Sequence, residues 1–204
     1  TRVVVYALEV GAHGALQFDD LDLSIVTDAD TLSPGPSSRR TGLVISEIMY
    51  HPVDDDLEYV ELYNTTPFTN RLDGYRLSSD IDYVFPSDAV IQPYSYLVVA
   101  MNPSAVEAAY GITGVLGPFT GKLPNSSGRV RLRKASGIEE QGDATLLEVN
   151  YTDEHPWPVA ADGGGHSLVL SEASYGEDDP RAWSASAQVG GSPGAPEPIV
   201  ESAL

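Results

Sequence analysis

Two strand-like runs, Leu43 to Tyr50 and Leu57 to Asn64, flank an acidic loop at residues 51–56. The first is rich in β-branched and aromatic residues. It stops at His51-Pro52, where a proline and a run of aspartates cannot continue a ladder. In the second run Val60 and Leu62 share one face while Tyr59, Glu61 and Tyr63 share the other, the period-2 signature of a half-buried strand. One face therefore meets a core, and the other meets water or a partner. Further strands are predicted at 72–78, 81–85, 95–101, 128–134, 144–151 and 166–171, with turn signals between them, and this spacing belongs to an all-β sandwich. Tyr96-Leu97-Val98-Val99-Ala100 is apolar on both faces and predicts the most buried strand. In the run 129–134, Val130 and Leu132 should point inward and Arg129, Arg131, Arg133 and Lys134 outward. Those cations line a solvated face, meet an acidic polymer, or pair across the strands with Glu58 or Glu61. One helix is predicted, with Asn102 as N-cap, Pro103 in the first turn and Gly111 as terminator.

Upstream, residues 1–31 are predicted to hold a β-hairpin built around Gly11-Ala12-His13-Gly14, and two strands alone are not stable in water. Its ending, Phe18-Asp19-Asp20-Leu21-Asp22-Leu23-Ser24, resembles the closing strand of jelly-roll carbohydrate-binding modules. The hairpin is thus either the tail of a preceding domain or a pair of edge strands for the next one. It could also pair with a second copy, giving a strand-exchanged homodimer through residues 1–26. Residues 32–41, rich in Pro, Gly and Ser, read as a linker. A sandwich at 42–198 and a disordered tail at 199–204 complete the division. A body of roughly 150 residues buries ~70% of its unfolded surface and needs no staple.

The absence of cysteine removes disulfides, thiolate metal sites and cysteine nucleophiles together. Thirty acidic against eleven basic residues give a formal charge of -19, which repels phosphate backbones and anionic headgroups. Nucleic acid is not expected as a partner and membrane surfaces are poor ones, and no apolar run is long enough to insert in a bilayer. A protein or an extracellular polymer is the partner class that remains. Lys122 and Lys134 are the only lysines, so arginine carries most of the positive charge.

Taken in order, these segments resemble the lamin tail domain family. Val44-Ile45-Ser46-Glu47-Ile48-Met49-Tyr50-His51-Pro52 is similar to the family's opening strand, Glu58-Tyr59-Val60-Glu61-Leu62-Tyr63-Asn64 to its second, and Leu72-Asp73-Gly74-Tyr75-Arg76-Leu77-Ser78 to its third. Phe85-Pro86 and Val90-Ile91-Gln92-Pro93 before Tyr96-Leu97-Val98-Val99-Ala100 resemble the next pair. His155-Pro156-Trp157-Pro158, Asp162-Gly163-Gly164-Gly165-His166-Ser167-Leu168, Asp178-Asp179-Pro180-Arg181-Ala182-Trp183 and Gly190-Gly191-Ser192-Pro193-Gly194 resemble the closing part of its bacterial exported members. The resemblance covers roughly residues 42–196. It implies an immunoglobulin-like β-sandwich without catalytic residues, working as a spacer or adhesion unit of a larger protein at the bacterial surface or outside the cell. The charge runs against the chromatin contacts of the nuclear branch.

Candidate chemistry is sparse. Asp54, Asp55, Asp56 and Glu58 put four carboxylates in five residues, enough oxygen ligands to begin a calcium site, although the Gly turn and distal Glu of an EF-hand loop are missing. They could equally form a solvated acidic turn. Calcium is the one cofactor this pattern suggests, and with it a calcium-dependent module for an extracellular polysaccharide. Histidines 13, 51, 155 and 166 lack zinc spacing. His166-Ser167 has no nucleophile-elbow context. Trp157 and Trp183 are expected to close the ends of the core, or else to stack on sugar rings beside Tyr151 or Tyr175. Asn64, Asn125 and Asn150 satisfy the N-glycosylation pattern. An enzymatic function would require two carboxylates converging in a cleft, one of them with a raised pKa.

Overall fold

The computed structural model describes residues 41–135, 142–171 and 176–198. The predicted hairpin at 1–31, the linker up to residue 40, Tyr175 and the tail at 199–204 lie outside them. Numbered along the chain, the strands are β1 (Leu43–Met49), β2 (Tyr59–Asn64), β3 (Asn70–Arg71), β4 (Tyr75–Ser79), β5 (Ile81–Val84), β6 (Val90–Ile91), β7 (Tyr96–Ala100), β8 (Thr120–Gly121), β9 (Ser127–Ala135), β10 (Asp143–Thr152), β11 (Leu168–Leu170) and β12 (Trp183–Ala185). One sheet has the order β12-β11-β1-β2-β7, the other β10-β9-β4-β5-β8, and β3 pairs with β6. All strand pairs are antiparallel.

Alternation along these strands builds the dry layer between the sheets. Leu43, Ile45, Ile48, Tyr50, Val60 and Leu62 enter it from the first sheet, and Leu77, Val130, Leu132, Leu147 and Val149 from the second. Each such side chain contributes about 1.5–3 kcal/mol by leaving water. The result is the all-β sandwich that the alternation predicts, of the immunoglobulin-like type that the resemblance implies. Short strands β3, β6, β8 and β12 were not among the predicted ones, because two or three residues carry too little periodicity to register.

Two departures from simple alternation shape the outer face of the first sheet. The β1–β2 ladder slips between Ile45 and Glu47, so that Ser46 is an extra residue. A bulge of this kind puts consecutive residues on one side. Ser46 and Glu47 therefore both stand on the outer face, after which Ile48 and Tyr50 return to the core. Secondly, β7 is an edge strand rather than the most buried one. Its two faces are covered all the same, since Val99 joins the main core while Val98 and Ala100 join a second cluster with Met49, Tyr59 and Val106 on the outer side of the sheet.

Helix α1 (Pro103–Tyr110) roofs that second cluster through Val106 and Tyr110. Its ends follow the sequence: the Asn102 side chain accepts from the Ala105 amide at 3.2 Å, and Gly111 stops the helix at a φ of 66°. Trp157 and Trp183 are both buried, with ring centroids 6.2 Å apart, and the Trp183 indole donates to the Glu177 carbonyl at 2.8 Å. Tyr151 is buried as well and donates to the Pro124 carbonyl at 3.0 Å. Neither tryptophan offers an open ring, so core closure is their role.

Candidate functional site

The acidic loop does not gather its four carboxylates. Asp54 caps the turn at Asp55–Leu57 by accepting from the Asp56 amide at 3.1 Å. Asp55 reaches sideways to Lys122 at 3.0 Å, and Asp56 is exposed. Glu58 turns inward, fully buried, and accepts from the Leu123 amide at 2.9 Å. Burial raises the pKa of Glu58, against the hydrogen bond from Leu123 and the charge of Lys122. The ammonium of Lys122 lies 3.0 Å from Asp55 and 3.7 Å from Glu58, so the cation between these two carboxylates is the chain's own. Among the described residues no group of three or more His, Cys, Asp or Glu is arranged to hold a metal ion.

A different set of acids does converge. Because of the bulge at Ser46, Glu47 stands directly across the ladder from Glu61 on the outer face of the first sheet. Both are 1% exposed. The cover over this face is the last described segment, which runs from Ser186 across the sheet. Its entry is pinned by the Ser186 amide to the Ser167 carbonyl at 3.0 Å and by the Gly190 amide to the Gly165 carbonyl at 2.7 Å. The Gly190 carbonyl then accepts from the Tyr110 hydroxyl at 2.7 Å and from Tyr59 at 3.3 Å.

From there the segment is held by the glutamates. One oxygen of Glu47 accepts from the Ser192 amide at 3.0 Å, the Tyr59 hydroxyl at 2.6 Å and the Ser167 hydroxyl. Glu61 accepts from the Gly194 amide at 2.6 Å and from the Ser46 hydroxyl at 2.6 Å. Glu197 closes the far end, taking the Ser192 hydroxyl at 2.7 Å and the Ala187 amide. At Gly191, where φ is 80°, a Cβ would stand 2.0 Å from the Glu47 carboxylate and 2.3 Å from the Tyr59 hydroxyl. Only glycine fits there.

Among the described residues neither glutamate has a salt-bridge partner. Burial pushes Glu61 up to about 8, helped by the charge of Glu47 and opposed by the Ser46 and Gly194 hydrogen bonds. Burial likewise raises Glu47, against the hydrogen bonds from Ser167, Tyr59 and Ser192. Beside the pair lies a cavity of about 280 Å³, walled by Val44, Tyr63, Tyr96, Val169 and Glu197. The Tyr63 and Tyr96 rings stack there with centroids 4.5 Å apart.

The predicted basic ladder is real, but it belongs to the other sheet and therefore does not pair with Glu58 or Glu61. Arg131 pairs with Glu148, its cross-strand neighbour, and Arg76 with Asp82. Asp143 lies 3.8 Å from Arg76 and 3.9 Å from Arg133, and Lys134 sits 4.8 Å above the Tyr75 ring. Of the remaining candidates, Ser167 is a buried ligand of Glu47, and His166 contacts the Ser186 carbonyl at 2.7 Å. His51 pairs with Asp162 at 2.8 Å. Asn64 is fully buried and donates to the carbonyls of Phe68, Ile91 and Gln92, which makes it a brace for the neighbouring loops.

Glu47 and Glu61 are the converging residues that pattern reading missed. Their alternation with apolar neighbours marks them as outward, and outward acids read as solvated. The available signal was the Gly190-Gly191-Ser192-Pro193-Gly194 segment, whose paired glycines permit close approach to another part of the chain.

Among known families, the model described as Lamin Tail Domain matches residues 36–153. No curated protein matches the chain. The matched region ends before β11, β12 and the covering segment.

Proposed function

This chain belongs to the lamin tail domain family, and we propose that it serves as a non-catalytic immunoglobulin-like interaction module, a spacer or adhesion unit within a larger exported or surface protein of a bacterium. The observation that carries the non-catalytic reading is the use made of the two converging acids. Glu47 and Glu61 are taken up by amides and hydroxyls of their own chain, as ligands of the covering segment. A general acid or base must be within reach of a substrate proton, and under the covering segment each glutamate is only 1% exposed. The surface left over is strongly acidic, which favours protein or neutral-polymer partners over nucleic acid and membranes. Among the described residues no helix is long and apolar enough to cross a membrane.

The calcium-dependent polysaccharide-binding alternative rests on Asp54, Asp55, Asp56 and Glu58, and one experiment separates the two readings. The full chain is coupled to beads and adhesion to cellulose, chitin, peptidoglycan and collagen is scored with calcium or with EDTA, beside calorimetric titration of calcium. The interaction-module reading expects adhesion indifferent to EDTA and no rise in Tm with calcium. Adhesion lost in EDTA, with a calcium-dependent Tm, would establish the alternative. Hydrolysis of a chromogenic glycoside, lost in Glu61→Gln, would overturn the non-catalytic reading altogether.

A further inference from the structure

Two carboxylates opposite one another on neighbouring strands repel when both are charged. Glu47 and Glu61 are in that position and are buried, and the groups facing them from every packed element are acidic or neutral. β2 contributes Tyr59 and Tyr63, β7 contributes Tyr96, α1 contributes Tyr110 and the covering segment contributes Glu197. With no cation in the set, the pair is stable on the sheet only while it keeps a proton.

We propose that residues 187–197 form a strap whose seating depends on that proton, closed when the Glu47–Glu61 pair is singly charged or neutral and released when both carboxylates ionise. The strap is what buries the pair, so its removal returns both groups to water, where the charged forms are favoured. Desolvation is the largest influence on each glutamate and outweighs the amide hydrogen bonds that the strap supplies. Ionisation and release therefore favour each other. Release uncovers the groove walled by Val44, Tyr63, Tyr96 and Val169. The hinge lies where the Ser186 amide is bonded to the Ser167 carbonyl, and the titratable group beside it is His166, whose ring contacts the Ser186 carbonyl at 2.7 Å rather than either glutamate.

The strap contains no lysine or arginine, and its three glycines, at 190, 191 and 194, are convenient reporters. Carbon-13 relaxation of their α-carbons in the full chain avoids the amide exchange that blurs alkaline spectra. Order parameters are expected near the rigid value of ~0.85 at about pH 5.5 and below ~0.6 at about pH 9. In Glu61→Gln, which cannot ionise, they should stay high at both. The carboxyl carbon shift of Glu61 in the unmodified chain needs no variant, and its midpoint should coincide with that of strap release. A strap equally ordered or equally loose at both pH values, a carboxyl midpoint displaced from release, or a folded Glu61→Gln that releases like the parent would each overturn the proposal.

Discussion

The outer faces of the two sheets carry the same kind of residue in opposite circumstances. Glu148 on β10 faces Arg131 across the ladder, whereas Glu61 on β2 faces Glu47. Burial pushes Glu148 up, but hydrogen bonds from Arg131 and Asn150 and the charges of Arg131 and Arg129 bring it below the usual carboxylate range. Glu61 has only neutral donors and is pushed up to about 8. The lesson is that burial pushes a glutamate on a sheet upward, and the residue one strand away decides whether that push is opposed or reinforced. A cation there makes an ordinary, partly exposed ion pair. A second acid there makes a buried, proton-holding pair that must be walled off by the chain itself.

The sharpest way to break the walled face is Gly191→Ala. It places a methyl against the Glu47 carboxylate and forces a left-handed backbone on a residue with a side chain. About 2–4 kcal/mol of stability should be lost, seen as a lower Tm in calorimetry, and an unchanged Tm would mean that the strap contributes nothing.

Next in size is Glu61→Gln. Between about 4.5 and about 8 the folded chain keeps a proton on Glu61 that the unfolded chain has released. The unfolded state therefore binds fewer protons, and stability falls as pH rises through that window, being fully present only below its lower edge. Removing the titration should leave the variant roughly 1–3 kcal/mol more stable than the parent at about pH 8 and little different at about pH 4.5, as read from urea melts at the two pH values. Parallel pH profiles for the two proteins would contradict this.

The smallest effect is expected on the other face. Arg131→Ala should cost under about 1 kcal/mol, since both partners are partly in water and salt screens them. The depressed Glu148 stabilises above the ordinary carboxylate pKa and loses that contribution as pH falls through its lowered value, so the variant should differ from the parent at neutral pH and converge with it in acid. A loss that persists undiminished in 1 M salt would show that packing, not charge, is at work.

Much of the sandwich was legible because alternation is a local property. Val60 and Leu62, Val130 and Leu132, and the caps of α1 at Asn102 and Gly111 each follow from neighbours within a turn or a strand, and each stands where the pattern puts it. The order of the strands was not readable in that way. Arg129 to Lys134 stood as possible partners of Glu58 and Glu61 only because nothing local says which sheet a strand joins.

By itself, then, the amino-acid order determined that this protein is all-β, where its long strands lie and which residues turn inward, because backbone sterics and burial act between neighbours. Tertiary structure alone decided that Ser46 would be a bulge, that Glu47 would thereby meet Glu61, and that a glycine-rich segment some 145 residues after Glu47 would cover them. Those contacts depend on how two ladders slip and which face the returning chain crosses. Such choices are settled by the packing of the whole sandwich, and no window of sequence contains them.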